Sequence, residues 1–541
     1  MRGFPHPSGV ALAISALLMH SAAAQGDWHF VDATQSAHAQ VGHWFQFGFQ
    51  NMTDMTSGGA AGGDLDGDGD IDLLVVRADL GPPAILLNRG DGVFDAASNT
   101  GLAIDAIGAI NGAALVDIDG NGTLDLFLGG SNGHAARLWL NNGQAHFTLP
   151  LVDQEFAPTP ALEVRRNTYG ASFSDIDRDG DLDLALGHWD APGRGGAGHL
   201  WLQQAGAWSA AESWFTAPPW GTTDFSFTPN FADFDNDGWP DLAIASDFGT
   251  THWFANQSGS AMIDRTSAVI SDENGMGSAI ADYDNDGDLD WFVTAVWWPG
   301  GPNRGGTGTT GNRLYRNNGS GFDDVTDAAG VRAGYWGWGS CFADFNQDGW
   351  LDLFHVNGWP APQQPGAQFY LVDPARLFIS NGDGSFTERS AALGISDTDQ
   401  GRAIVCADFD NDGDIDVLTQ NTGNDMLTPG QTRLWRNEEG NTHPWLRIRL
   451  QQQGGNRDAV GARIQISTAG ITQMRELAAG NNFLSSNPIE AHFGFGAAIG
   501  RSMIRVRWPD GVNEQFAACP LNQRIVLRRG NGSDFFGDGL E

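Results

Sequence analysis

The chain contains no lysine. All 29 basic residues are arginine, set against 66 acids, for a net charge of −37. A surface that acidic repels nucleic acid at long range, so no nucleic-acid partner is expected. Cysteine is nearly absent too: Cys341, Cys406 and Cys519 cannot build a disulfide framework. Cys341 and Cys406 fall at neighbouring but non-equivalent places in the repeat below; buried free thiols are expected there, with one bridge as the alternative. Beyond the N-terminus no apolar run reaches the roughly 18 residues of a membrane span. Missing as well are H-E-x-x-H, G-x-S-x-G, a phosphate loop and any Cys/His metal spacing. No enzyme is therefore expected.

What the chain does have is length, glycine and repetition. Its 541 residues are 41% hydrophobic, enough for a large core, and 74 of them are glycine, which with the Asn and Asp clusters signals many turns. Long helical periodicities are scarce, so the expected class is all-β. Arg2, the apolar residues 10–19 and Ala22-Ala23-Ala24 read as a signal peptide over residues 1–24, which predicts a secreted, cell-surface or periplasmic protein.

A nine-residue segment, D-x-[DN]-x-[DN]-G-x-x-D, recurs seven times. An apolar run follows each copy, then R-L-[WYF]-x-N, then G-F-x-x-x-[TS]. Each unit thus reads as about four short strands, the pattern of a propeller blade. The N-terminal DWHFVDATQ, from Asp27, matches the last strand of a unit and is expected to complete the seventh, which leaves no sheet edge free.

The segment has the chemistry of a calcium loop, because calcium takes six to eight oxygens in a flexible cage. Its first position holds Asp64, Asp117, Asp175, Asp233, Asp282, Asp344 and Asp408. The third holds Asp66, Asp119, Asp177, Asp235, Asp284, Asn346 and Asp410, and the fifth Asp68, Asn121, Asp179, Asp237, Asp286, Asp348 and Asp412. Glycine at the sixth permits the bend. The seventh, occupied by Asp70, Thr123, Asp181, Trp239, Asp288, Trp350 and Asp414, offers a backbone carbonyl. The ninth closes the cage with Asp72, Asp125, Asp183, Asp241, Asp290, Asp352 and Asp416. Up to seven Ca2+ ions are expected. An EF-hand is excluded, since its twelfth position needs Glu and here holds Val75, Leu128, Leu186, Ile244, Val293, His355 and Thr419.

These loops and the apolar strand after them resemble the FG-GAP/VCBS repeats of integrin-type propellers, over residues 25–440. The resemblance implies a seven-bladed calcium-binding β-propeller. Beyond it, residues 441–530 alternate as short strands and resemble the ASPIC/UnbV domain through Gly461-Ala462-Arg463, the segment 482–488, His492-Phe493-Gly494-Phe495-Gly496 and Trp508-Pro509-Asp510-Gly511. Phe495 stands where that family usually has Leu. The combination is similar to the cartilage acidic protein family and its bacterial relatives, which implies a binding or matrix role. An acidic aromatic tail, 531–541, ends the chain.

Two surfaces could hold a ligand, taken to be an extracellular protein or a glycan. Trp189, Trp297, Trp298 and Trp359 fall at similar offsets after the ninth Asp, so they should gather on one face, either exposed for sugar stacking or packed between blades. The C-terminal segment carries 11 Arg against five acids, and alternation places Arg447 with Arg449, and Arg505 with Arg507, on shared faces. Those arginines serve either an anionic glycan or docking on the acidic propeller. The reading is a non-catalytic binding or adhesion protein. The alternative is a calcium-dependent polysaccharide lyase, with His188, His355 or Arg304 near its site.

Overall fold

The computed structural model describes residues 28–45, 54, 56–102, 110–131, 136–148, 167–192, 198–216, 223–298, 309–360, 367–423, 428–438, 440–468, 470–497, 503–517 and 519–532. The signal-peptide segment, Arg304 and the tail from residue 533 lie outside them.

The fold is all-β, and its strands follow the repeat. The ninth residue of each loop begins the second strand of a unit, and the loop joins that strand to the first. Unit one runs Ala60–Gly63, Asp72–Val75, Ala84–Asn88 and Phe94–Ala96, all antiparallel. The first strands of the later units are Ile110–Val116, Thr168–Ser174, Thr223–Ala232, Ser278–Ala281, Gly337–Ala343 and Gln400–Ala407. Each first strand lies against that of the next unit, and Gln400–Ala407 lies against Ala60–Gly63, so the units close a ring. In the last unit the fourth strand is His29–Asp32, paired antiparallel with Arg433–Glu438 as expected for a closed propeller.

Because the first strands converge on the axis, they are buried on both faces and built from small residues, as in AAGG and INGAALV. Gly112 shows why: its φ is +71°, and a Cβ there would lie 2.1 Å from the Tyr169 carbonyl oxygen. Units three and four are further joined by a ladder, since the long second strand Asp183–Pro192 also pairs with Thr223–Ala232.

Cys341 and Cys406 form a disulfide between the first strands of the last two units. This corrects the expectation of free thiols, and only Cys519 stays reduced. Cys341 precedes its loop by three residues and Cys406 by two. With a side-chain period of two they point to opposite faces of their own sheets, and hence toward each other across the cleft between adjacent blades.

The C-terminal segment forms two small sheets. One joins Trp445–Gln451, Ala491–Gly494 and Gln523–Arg528; the other joins Arg463–Thr468, Ile471–Glu476, Ile504–Arg507 and Asn513–Phe516. Their apolar core, with Leu446, Ile448, Ile464 and Val506, is continuous with that of the first three propeller units. Among the described residues no helix is long and apolar enough to cross a membrane.

Candidate functional site

Every loop is built on one hydrogen-bonding plan. The ninth Asp accepts two backbone N–H groups: Asp72 takes those of Leu65 and Asn88 at 2.8 Å each, Asp125 those of Ile118 and Asn141, and Asp290 those of Tyr283 and Asn317. It thereby fixes the loop to the second and third strands. The first Asp accepts the N–H of the sixth-position glycine through Oδ2, as at Asp117, Asp175, Asp233, Asp282, Asp344 and Asp408. That glycine is left-handed in all seven loops, from Gly122 at φ +93° to Gly413 at +104°.

The plan leaves carboxylate oxygens turned inward. Oδ1 of Asp175, Asp233, Asp282 and Asp408 is buried and receives no hydrogen bond. In the first five loops the first, third and ninth aspartates bring oxygens within 4.8 Å of one another. Burial, reinforced by the neighbouring acids, pushes these carboxyls up: Asp72, Asp125 and Asp175 to about 7, and Asp183 to about 9. A hard divalent cation is the group that such oxygens fit, because it would supply the charge they lack. The residues present therefore fit a calcium ion.

Oδ1 of Asp68, Asn121, Asp179, Asp237, Asp286, Asp348 and Asp412 at the fifth position caps the seventh-position N–H, so these residues also shape the turn. Loop seven differs, since the Asp414 side chain is buried beside Asp416 and Asp412 and its carboxyl is driven up by burial and by those neighbours.

Sequence reasoning missed two sets of contacts. The Asn of R-L-[WYF]-x-N is a clamp between blades. Asn317 Nδ2 donates to the Leu289 carbonyl of its own loop at 3.1 Å and to the Phe234 carbonyl of the preceding loop at 2.7 Å. Asn88, Asn141, Asn256 and Asn437 repeat this, and Asn88 reaches Phe409 of loop seven, so the clamps run through the ring closure. The second set links loop to loop through position four, left as an unassigned x in the pattern. Asn285 donates to Gly349 O at 3.0 Å and Gln347 to Gly413 O at 2.7 Å, while the Arg178 guanidinium donates to Gly238 O and lies over Trp239. Recurrence of Asn at a fixed strand position was the available signal for the first set; the second carried none.

The C-terminal module sits on this loop face. Arg447 Nη1 donates to Asp408 Oδ2 at 2.7 Å, and its Nη2 lies 2.9 Å from Glu490. Arg463 and Arg507 both pair with Asp233, and Arg449 lies 3.7 Å from Asp64. Loop carbonyls take the rest: Asn456 N–H bonds Gly180 O at 2.8 Å, Gly496 N–H bonds Gln347 O at 2.7 Å, and the Arg524 guanidinium donates to Gly69 O. Of the four arginines proposed for a glycan, Arg447, Arg449 and Arg507 are therefore engaged with the propeller. Arg505 is exposed, beside a cavity of about 510 Å³ lined also by Asn236 and Arg463.

Residues 482–488 leave the module and enter the centre of the ring. Ser485–Ser486 pairs in parallel with Ala60–Ala61, the Leu484 carbonyl accepts the Ala60 and Ala113 N–H groups, and Phe483 packs against Tyr169, Phe227 and Trp338.

The four tryptophans split. Trp189 is buried, with its indole N–H on Asp247 at 2.8 Å, and Trp359 is buried and stacked on Trp336 at 4.5 Å. Burial removes both as open sugar platforms, Trp189 against Phe225 and Phe227 of the next unit and Trp359 against Trp336 and Trp338 of its own. Trp297 and Trp298 are half-buried. Both follow a second strand, so they lie at the end of the propeller away from the aspartate loops.

Comparison with known proteins agrees with this architecture. Residues 64–128, 117–186, 233–293, 297–355 and 369–419 match the FG-GAP-like repeat, and residues 452–534 match ASPIC and UnbV. Cartilage acidic protein 1 of Homo sapiens is 23% identical over 77% of this chain and 71% of its own length; that of Xenopus tropicalis is 24% identical over 74% and 70%. For the Mus musculus protein the match is 25% identical and spans 42% of its length. Among solved structures an Agrocybe aegerita lectin is similar at 14% identity, over 73% of this chain and 93% of that one, with a TM-score of 0.39. More than half of the chain lies in matched repeats, and so it belongs to the FG-GAP-like repeat family, its propeller followed by an ASPIC and UnbV domain.

Proposed function

We propose that this is an exported, calcium-loaded, non-catalytic binding protein whose ligand face is the one opposite its C-terminal module. One observation carries the reading. The module covers the aspartate-loop face and pairs Arg447, Arg449, Arg463 and Arg507 with its first-position acids, so these four arginines are occupied from within. The opposite face keeps partly buried aromatics, with Trp298, Tyr335 and Trp336 packed at the edge of the core and Trp297 against Tyr335 at 5.5 Å. Partly exposed aromatic faces suit a glycan or a protein loop.

Calcium in this reading is structural. Its ions would be held by the first, third, fifth and ninth loop positions with the seventh carbonyl, and would fix the loops. Two of the three residues considered for the lyase alternative are poorly placed for it: His188 and His355 are buried, and burial together with Arg376 lowers the His355 imidazole to about 3. The test is a glycan and matrix-protein array probed with calcium-loaded protein and with a Trp297→Ala, Trp298→Ala variant. The variant is expected to lose the retained ligand while its calcium stoichiometry stays the same. Equal retention by the variant would sink the reading.

A further inference from the structure

The metal loops and the C-terminal module meet at one surface, and the contacts fall in a pattern. All four arginine contacts to first-position aspartates go to Oδ2: Arg447 to Asp408, Arg463 and Arg507 to Asp233, and Arg449 to Asp64. At Asp233 and Asp408 that oxygen already accepts the glycine N–H, while Oδ1 stays open. At Asp233 and Asp408 the arginines thus hold the carboxylate from behind, with its free oxygen turned into the loop, whereas Asp64 Oδ1 accepts the Gly67 N–H at 2.8 Å.

In return, the module's docking surface is made of loop backbone. It uses the carbonyls of Gly69, Gly180, Asn346, Gln347 and Gly413, the last two through Gly496 N–H at 2.7 Å and His492 Nε2 at 2.9 Å. Those carbonyls are placed by turns whose carboxylates repel one another unless a cation joins them.

We propose that cation loading of the loops and seating of the C-terminal module are one linked equilibrium: the module supplies the outer shell of the metal sites, and the loaded loops supply the surface on which it docks. The proposal rests on the calcium reading above and extends it to the module's own residues. Outer-shell partners orient ligating carboxylates, and their removal commonly weakens metal binding by about 10–100-fold. Linkage makes the effect reciprocal, so calcium must favour the seated module by the factor by which the module favours calcium. Seating also inserts Phe483 and Leu484 into the ring, where Leu484 O bridges the first strands of units one and two. Calcium at the rim therefore controls whether the centre of the ring is filled. The loop-to-loop contacts at position four spread this control around the ring.

The test uses the full-length protein and Ca2+ alone. Hydrogen exchange is followed at Ser485, Ser486 and Gly496 N–H, with Leu242 and Phe292, inside the blades, as the reference for global unfolding. Chelation is expected to expose the first group while the second stays protected. In parallel, an Arg449→Met, Arg507→Met variant is titrated. Its calcium isotherm should show sites weakened about tenfold or more. If calcium binds but the module amides exchange at the same rate with chelator, and the variant titrates like the parent, the linkage is overturned while the metal reading stands. If no calcium binds, both fall.

Discussion

The smallest feature that holds this molecule together is a carboxamide. Each clamping Asn satisfies two buried carbonyls, one of its own loop and one of the preceding blade. A buried acceptor left without a donor costs about 1–3 kcal/mol. Asn317→Ala should therefore lower unfolding stability by about 1–3 kcal/mol, measured by denaturant unfolding in calcium. Unit six has Ser380 at this place, which is too short to span the cleft, although its N–H still bonds Asp352 at 2.8 Å. Ser380→Asn should add the missing clamp toward Tyr283 O and stabilise by about 0.5–1.5 kcal/mol; no gain would show that the carbonyl is not within reach.

The loop aspartates give a pH dependence whose sign can be worked out. Their ordinary value is 3.8, and burial raises Asp72, Asp125 and Asp175 to about 7 and Asp183 to about 9. A carboxyl raised in this way prefers the folded state when protonated, so its penalty is absent below 3.8 and fully present above the raised value. Calcium-free protein should thus lose stability as pH climbs from about 4 to about 9. The stabilisation that calcium adds should grow across the same window, with protons released on binding. Melting curves with and without chelator at pH 5 and 8 check this; a calcium increment no larger at pH 8 would contradict it.

At the scale of the element, the disulfide ties the first strands of the last two units across 65 residues of sequence. A loop of that length implies about 4 kcal/mol by the chain-entropy estimate, with 2–4 typical. Cys341→Ala with Cys406→Ala should cost that much, and reduction of the parent should reproduce the loss. A Tm unmoved by both would mean that the bond does not restrain the unfolded chain. This bond was within reach of the sequence, because offsets of three and two residues before the loop set opposite faces. The loops and strands were legible for a similar reason: D-x-D-x-D-G and the apolar run after it are local patterns whose turn geometry needs no tertiary partner. The closing strand His29–Asp32 was legible because a partial repeat implies its complement. Burial of Trp189 and Trp359 was not, since a fixed offset from the loop says which end a side chain occupies but not which residues cover it. Nor was the path of Phe483 into the ring, which depends on how two domains meet and leaves no periodic trace.

At the scale of the whole molecule, stability depends on the ring being shut, and the last blade is completed by a strand of four residues. His29–Asp32 supplies the last strand of the final unit, with Trp28 and Phe30 buried and Phe30 edge-on to Phe345 at 5.6 Å. Thr34 continues the seam by accepting the Leu434 N–H at 2.9 Å. Without this segment, Arg433–Glu438 becomes a free edge, with its backbone groups unpaired and an apolar cleft open beside it. Exposed edges recruit strands from other chains. Losing even one buried aromatic costs about 3–5 kcal/mol. Deletion of residues 28–34 should therefore broaden the melting transition and drive self-association, seen as concentration-dependent sedimentation. Units two to five keep their loops and clamps and do not touch the seam, so calcium should still bind there. A deletion variant that stays monomeric and melts like the parent would mean that the blades hold together without closure, and that the clamps and the C-terminal module suffice to keep the ring.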